Sequence, residues 1–580
     1  MSFQLPSHLR KYVVRQEDRS YTPVDHAVWR FCLRQLRAYL SKNAHESYLD
    51  GLSKTGIEVE RIPRIADVSE KLAHFGWRAL PVSGFIPPAA FMELQALNVL
   101  PVASDIRSLD HLTYTPAPDI VHEAAGHAPM LANTEFADYL RQYAQVAKKA
   151  LISKEDMDVY EAIRDLSDLK ENPASTEQEI KAAEERLVRV SESSTHISEA
   201  TWLSRMNWWT AEYGLIGSLE KPRIYGAGLL SSVGESKLCL SDKVKKIPMS
   251  IDCIEYGYDI TEPQPQLFVT PDFKTLGVVL NELADRMAFR EGGRVSIEKA
   301  IQAKTVNTVE LNSGLQISGI CTEILPAQGT EIAYLRFEGP SQLSMTDRQL
   351  EGHGKDDHAH GFGTAVGFLK AHPGKCPSTL SDEDWETLGA KPGQTLTLEY
   401  TSGVKVVGAF KSRMVKDGKT VLLALENATA TLDGRVLFDP SWGTYDLAIG
   451  SSVPSVFGGP ADRLAFGEVD DFIAKRVPTP VFSEQEKKRH QLYERVRDWR
   501  EKQVKGDVLE QNLATALDEA TRDFPEDWLI VLEMHELALN RASESGIAQN
   551  IRKSLEQRIN VQPDQAEIIR EGLALANQMS

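Results

Sequence analysis

Two histidines five positions apart, His122 and His127, sit in the stretch Tyr114-Thr-Pro-Ala-Pro-Asp-Ile-Val-His-Glu-Ala-Ala-Gly-His-Ala-Pro-Met130, with Glu123 beside the first and Gly126 before the second. Neutral imidazole ligates divalent iron, copper, nickel and zinc. Pro118 and Asp119 read as a helix opening, since proline is tolerated in the first turn and a carboxylate there complements the dipole. On an ideal α-helix a spacing of five leaves two side chains about 140° apart. The pair is therefore not expected to share a face, and Gly126 is the residue that would relax the backbone between them. The zinc-protease pattern H-E-x-x-H, with histidines four apart, is not met. A third donor is needed, and the candidate is Glu212 in Trp208-Trp-Thr-Ala-Glu-Tyr-Gly-Leu215. Two histidines and one carboxylate leave open coordination positions, the donor set of non-heme Fe(II) oxygenases. Spacing alone leaves the plainer alternative open: hydrogen-bonded core histidines that hold no ion.

Several separate blocks resemble one family, the pterin-dependent aromatic amino acid hydroxylases, and within it most closely the phenylalanine-hydroxylating members. They are Tyr21-Thr-Pro-Val-Asp-His-Ala-Val-Trp29, Gly76-Trp77 with Pro81-Val-Ser-Gly-Phe-Ile86, the Tyr114 to Met130 block, Trp208 to Leu215, Tyr225-Gly-Ala-Gly-Leu-Leu-Ser-Ser-Val-Gly-Glu235, and Thr261-Glu-Pro-Gln-Pro265. They follow the family's order over roughly residues 20 to 295. Each block alone is a weak signal; together they are specific. The resemblance implies Fe(II) held by His122, His127 and Glu212, and a tetrahydropterin lined by Gly84, Phe85, Ile86, Phe91 and Glu123. A flat pterin ring needs an aromatic face to stack on and backbone amides for its edge; the plain alternative for Phe85 and Phe91 is core packing. The substrate would be met by Arg107, Tyr114, Thr115, Trp208, Gly228, Ser231 and Ile260. A guanidinium fork suits a carboxylate; the plain alternative is a surface pair of Arg107 with Asp105 or Asp110. The resemblance also implies that Ser231 supports a ligating histidine and that Glu123 faces the pterin; a residue directly after a ligand points about 100° away on an α-helix, so Glu123 is not expected to ligate the same ion. The implied catalytic carboxylates are Glu123 and Glu212. The implied reaction is ring hydroxylation of a free aromatic amino acid by O2, most closely phenylalanine to tyrosine, with the apolar Ile260 suiting phenylalanine or tryptophan better than a polar ring. A tryptophan or tyrosine hydroxylase would share every ligand, a zinc hydrolase would share the two histidines, and an inactive scaffold is the remaining alternative.

The elements that must position these residues read as an α+β multidomain chain. Residues 24 to 42 carry apolar positions at helical spacing, with Trp29, Leu33 and Leu36 as core. Pro81, Pro87 and Pro88 mark a loop. Residues 1–300 are expected to form a mostly α catalytic domain of the family's type. His127 and Glu212 are 85 positions apart, about twice the family's usual separation. The excess, about 150–200, alternates acids and bases at helical spacing around Asn172-Pro-Ala-Ser175 and is expected to be a helical hairpin. Residues 301–480 show short alternating apolar runs with turn pairs Ser402-Gly403, Asp417-Gly418 and Asp433-Gly434, expected as a β-rich barrel or sandwich. Within it, His353, His358 and His360 cluster in a polar segment that is either a second metal site or a mobile loop. Residues 481–580 read as helices with Trp499, Leu509, Leu513, Trp528, Leu532 and Leu537 as core.

Bulk properties narrow the classes. A chain of 580 residues exceeds one core. The net charge of -18 disfavours nucleic acid, whose phosphates demand basic patches. No apolar run reaches the ~18 residues that would span a bilayer, and the N-terminus has no hydrophobic signal core. Five scattered cysteines without C-x-x-C spacing suit reduced thiols in a cytoplasm. The oligomeric state stays open.

Overall fold

The helix Pro23–Asn43 begins where its sequence closes a capping box: Asp25 N–H donates to Thr22 Oγ1 at 3.2 Å, and Thr22 N–H donates to Asp25 Oδ2 at 2.7 Å. Pro23 at the first position loses only a donor that would be unpaired anyway. The apolar stripe read from the sequence, Trp29, Leu33 and Leu36, is buried. The computed structural model describes residues 4–83, 86–112, 118–171, 175–193, 196–259, 262–327, 329–467, 481–541 and 546–578. Mixed helix and sheet run through it. Among the described residues no helix is long and apolar enough to cross a membrane.

The chain gathers into two compact units, each assembled from separated stretches. One comprises Tyr12–Arg141, Met206–Leu276 and Ile473–Ser580. Besides Pro23–Asn43 it holds a parallel strand pair, Arg78–Val82 with Val99–Ala103, connected through the helix Pro88–Ala96. A short sheet runs in the order Pro222–Ile224, Leu215–Gly217, Gln266–Thr270, Lys245–Pro248. Two windings of π-helix, Val121–His127 and Trp208–Glu212, carry the histidines and the carboxylate singled out above.

Among the described residues, this unit is completed by the helices Glu484–Glu501, Gly506–Asp523, Trp528–Arg541, Ile547–Val561 and Ala566–Gln578. Leu509, Leu513, Trp528, Leu532 and Leu537 are buried as expected. Trp499, near the end of its helix, is only half-buried, while Leu492, Tyr493 and Val496 earlier on that helix are buried. Phe31 meets the edge of Trp528 at 5.3 Å. A buried charge network lies beside that contact. Arg30 Nη1 donates to Glu533 Oε1 at 2.6 Å and to Glu536 Oε2 at 2.5 Å, while Arg34 pairs with Glu536 and Arg500 with Glu533.

The other unit comprises Met1–Lys11, Gln142–Arg205 and Gly277–Phe472. The charged insertion folds as two helices, Lys154–Glu171 and Glu177–Ser193. Lys170 pairs with Glu184 at 2.9 Å and Arg186 with Asp165, so the later residue of one helix meets the earlier residue of the other, an antiparallel hairpin. Beyond the helix Gly293–Ala303 come two antiparallel sheets of six and five strands. The Asp-Gly pairs sit where expected. Asp417 and Gly418 have φ of 50° and 74° between the strands Lys405–Lys416 and Lys419–Leu432, and Asp433 and Gly434 have 49° and 81° before Arg435–Phe438. Positive φ at both central residues is the turn that matches strand twist. Tyr334 and Ala365 of the six-stranded sheet share one core with Leu396, Val406, Leu423 and Tyr445 of the five-stranded sheet.

The charge network yields a stability prediction. Glu533→Ala leaves Arg30 and Arg500 buried without their shared counter-charge, which should cost about 3–5 kcal/mol. Urea unfolding of the full chain followed by tryptophan fluorescence checks it; a loss below about 1 kcal/mol contradicts the network's importance.

Candidate metal centre

Asp119 organises the entrance to the first π-helix. Its Oδ1 accepts His122 N–H at 3.0 Å and Arg107 Nη2–H at 2.8 Å; its Oδ2 accepts Arg107 Nε–H at 2.8 Å and Arg107 backbone N–H at 3.0 Å. All four contacts are buried or nearly so, and the guanidinium beside Asp119 outweighs burial to hold its carboxyl below the usual range. Arg107 is therefore not the surface arginine of the plain alternative: it is buried, bidentate to Asp119, and donates through Nη1 to Ser231 O at 3.2 Å.

The winding itself corrects the sequence expectation. On an α-helix the two histidines would diverge, but here Ala128 N–H bonds to Glu123 O, five residues back. The i→i+5 pattern stacks residues five apart on one side. His122 and His127 consequently face the same space, with ring centroids 4.9 Å apart and planes at 87°. Tyr213 N–H bonds to Trp208 O at 2.8 Å in the same way, which turns Glu212 inward. Thr210 Oγ1 donates to Met206 O at 2.6 Å and accepts from Tyr139 at 2.8 Å, tying this second winding to the helix Thr134–Ala147.

Gly126 has a packing role. A Cβ there would sit 2.7 Å from Ala227 O, so the glycine permits the short helix Ala227–Ser231 to lie against the winding. Gly226 does the same on the other side, where a Cβ would meet Glu212 O and Gly214 N at 2.4 Å each.

The donors converge. His122 Nε2 lies 3.3 Å from Glu212 Oε2, and His127 Nε2 lies 3.1 Å from Glu212 Oε1. Ligands about 2.1 Å from one ion at right angles are about 3.0 Å apart. Ser231 sets the tautomer: its hydroxyl donates to Ala227 O at 2.7 Å, so it accepts from His122 Nδ1 at 3.1 Å and leaves Nε2 a free lone pair. Burial works against charge on His122, but the Glu212 carboxylate pushes it up to about 9. Burial likewise raises Glu212, and the two imidazoles more than reverse this, holding it well below the usual range. A cation would compete with that proton for the same lone pair.

Glu123 is closer than an α-helix would put it: one of its oxygens and one nitrogen of each histidine all lie within 4.8 Å of one another. It is 5% exposed, its Oε2 has no hydrogen-bond partner among the described residues, and burial pushes its carboxyl up. Trp208 stacks on Tyr213 at 4.5 Å and on Tyr258 at 4.3 Å, and Tyr213 donates to Glu235 at 2.7 Å. Neither Tyr258 nor the Arg107–Asp119 pair carried any sequence signal beyond proximity. Ile86 is buried, Phe91 is half-buried on the helix Pro88–Ala96, and Gly228 is buried on Ala227–Ser231. Gly84, Phe85, Tyr114, Thr115 and Ile260 lie outside the described residues.

Ser231→Ala removes the acceptor for His122 Nδ1 without touching a donor to the centre. Iron affinity should fall about 10–100-fold with unchanged circular dichroism, read by metal titration of the chelated protein; unchanged affinity would contradict the tautomer argument.

Comparison with known proteins gives concordant matches. The family described as biopterin-dependent aromatic amino acid hydroxylase matches residues 12–158 and 184–310. The chain is 32% identical over 272 residues to phenylalanine-4-hydroxylase of Pseudomonas aeruginosa, covering 46% of this chain and 87% of that protein. It is 31% identical over 265 residues to phenylalanine-4-hydroxylase of Mesorhizobium japonicum, covering 45% of this chain and 80% of that one. A crystal structure of Chromobacterium violaceum phenylalanine hydroxylase with bound iron(III) and oxidised 7,8-dihydrobiopterin aligns at 26% identity and a TM-score of 0.38, over 49% of this chain and 93% of that one.

Proposed function

Since the chain belongs to the biopterin-dependent aromatic amino acid hydroxylases, we propose that it hydroxylates the ring of free L-phenylalanine to give L-tyrosine, using O2, Fe(II) and a tetrahydropterin. The observation that carries this reading is the approach of His122 Nε2 and His127 Nε2 to the two oxygens of Glu212, at 3.3 and 3.1 Å. Two imidazoles and one carboxylate suit ferrous iron and leave positions for oxygen. The residues therefore fit the metal that the family uses.

When bound, the iron and the pterin together supply the activation of dioxygen that singlet organic molecules lack. The protein's residues do the rest. His122, His127 and Glu212 would hold the metal, with Ser231 keeping His122 in the ligating tautomer. Glu123, whose buried Oε2 has no hydrogen-bond partner among the described residues, would accept N–H groups of the pterin, and Gly84, Phe85, Ile86 and Phe91 would hold its ring. Arg107, fixed by Asp119, takes the substrate carboxylate, assisted by Tyr114 and Thr115. Trp208 walls the ring, Gly228 leaves it room, and the apolar Ile260 suits phenylalanine. Placement of this kind supplies much of the rate where several reactants must meet. By function rather than by packing, we divide the chain into a hydroxylase segment over 1–300, with its helical insertion at about 150–200, a β-rich segment over 301–480 and a helical segment over 481–580. The cysteines are all free thiols, which supports a cytoplasmic setting.

Tyrosine should form from phenylalanine only with both oxygen and a tetrahydropterin present. Chromatography of products from phenylalanine, tyrosine and tryptophan in parallel decides the substrate. Equal turnover without oxygen overturns the reading and favours hydrolysis. Glu212→Ala should lower turnover by more than the roughly 100-fold that loss of an outer-sphere partner costs, together with iron content; full iron and unchanged turnover would remove Glu212 from the centre.

A further inference from the structure

The histidine cluster of the β-rich segment is an ordered arrangement fixed by backbone hydrogen bonds. Leu343 N–H donates to His353 O at 2.9 Å and Ser341 N–H donates to His358 O at 3.1 Å, so both histidines are pinned to the strand Thr330–Met345. Between them His358 N–H closes a turn on Gly354 O at 3.1 Å, and Asp357 accepts Gly354 N–H at 2.8 Å. The rings stack with centroids 5.4 Å apart and planes at 12°, and Phe362 braces His358 edge-on at 5.3 Å. His360 is exposed and stands outside the cluster. The third member comes from the other sheet: Asp446 lies on the strand Tyr445–Ala448, which pairs with Lys419–Leu432.

The donor atoms face one another. His353 Nδ1 is 3.2 Å from His358 Nε2 and 3.9 Å from Asp446 Oδ2, and one donor atom from each residue lies within 4.8 Å of the others. A hydrogen-bonded histidine pair explains only part of this. His353 Nδ1 has a single proton to give, and if His358 Nε2 takes it, Asp446 is left with longer-range attraction, to His353 and Lys411. An ion held at about 2.1 Å by two imidazole nitrogens keeps them about 3.0–3.4 Å apart, depending on geometry, which brackets the observed separation. The carboxylate needs to move by about half an ångström, within the reach of a half-buried aspartate side chain.

We propose that His353, His358 and Asp446 form a second metal site, for a divalent transition metal of the zinc class, distinct from the centre built by His122, His127 and Glu212. Two imidazoles and one carboxylate, held on two sheets of one unit, give three protein ligands and leave a fourth position for water. The ion joins the six-stranded sheet to the five-stranded sheet at that point.

Full-length protein stripped with a chelator is dialysed against Zn2+ alone, and bound metal per chain is counted by mass spectrometry. Wild type takes up one more equivalent than His358→Gln, and one more than His127→Ala; the double variant His127→Ala/His358→Gln loses both. The His127 arm tests the hydroxylase centre and the His358 arm tests this one, so each fails separately. Undiminished Zn2+ uptake by His358→Gln overturns the proposal, and so does a wild type that holds no equivalent beyond the one lost in His127→Ala. Should His358→Gln misfold by circular dichroism, Asp446→Asn decides: it keeps the side-chain shape, and Zn2+ binding at this site should weaken at least about tenfold, whereas unchanged affinity overturns the assignment.

Discussion

A single carboxylate reaching two imidazoles is the constraint from which the hydroxylase unit is built. Glu212 must come within about 3 Å of two histidines that lie 85 and 90 residues before it, and α-helical winding would turn His127 away from His122. The chain meets this with two short π-helical turns, a geometry that is rarely adopted and recurs at functional sites. Each turn then needs outside support. Asp119 caps the first and Tyr139 with Thr210 braces the second, while Gly126 and Gly226 bring the short helix Ala227–Ser231 into contact with both. That contact also delivers Ser231 to His122, so close packing and ligand orientation are one arrangement.

Much of this was legible in the sequence because it is local. Thr22 and Asp25 announce a helix start, Asp417-Gly418 and Asp433-Gly434 announce hairpins, and the charged run after Lys154 announces a solvated helical pair. Leu509, Leu513 and Leu532 recur at helical spacing and are buried. The histidines and Glu212 were legible through residue type and resemblance together. What escaped is what depends on non-local packing. Nothing in five-residue spacing distinguishes an α-turn from a π-turn, so the common winding was the expectation and the rarer one is the finding. Arg107 reads by resemblance as a carboxylate-binding residue, with a surface pair to Asp105 or Asp110 as the plain alternative; that its buried partner is Asp119 shows only in the tertiary structure. Trp499 falls on the same apolar period as Leu492 and Val496 yet is only half-buried, two residues before its helix ends at Glu501, and period alone does not tell how far along a helix the packing extends.

The helices after Ser483 add a different lesson about where the unit ends. Arg30 and Arg34 lie on the same helix as Trp29, whose burial anchors the N-terminal part of the fold, and their counter-charges Glu533 and Glu536 arrive some five hundred residues later. Charges buried in this way are tolerated only as complete pairs. The family resemblance stops well before those glutamates.

The shortest stretch bearing all three metal donors is therefore not the shortest stretch able to stand alone. A fragment cut at the edge of the recognisable homology would keep Arg30 paired with the half-exposed Glu60 but would take the buried counter-charges Glu533 and Glu536 away from Arg30 and Arg34. In electrostatic terms, the tail is as much a part of the enzyme's scaffold as the segment that bears its ligands, and borders drawn from kinship between sequences do not coincide with borders drawn by folding.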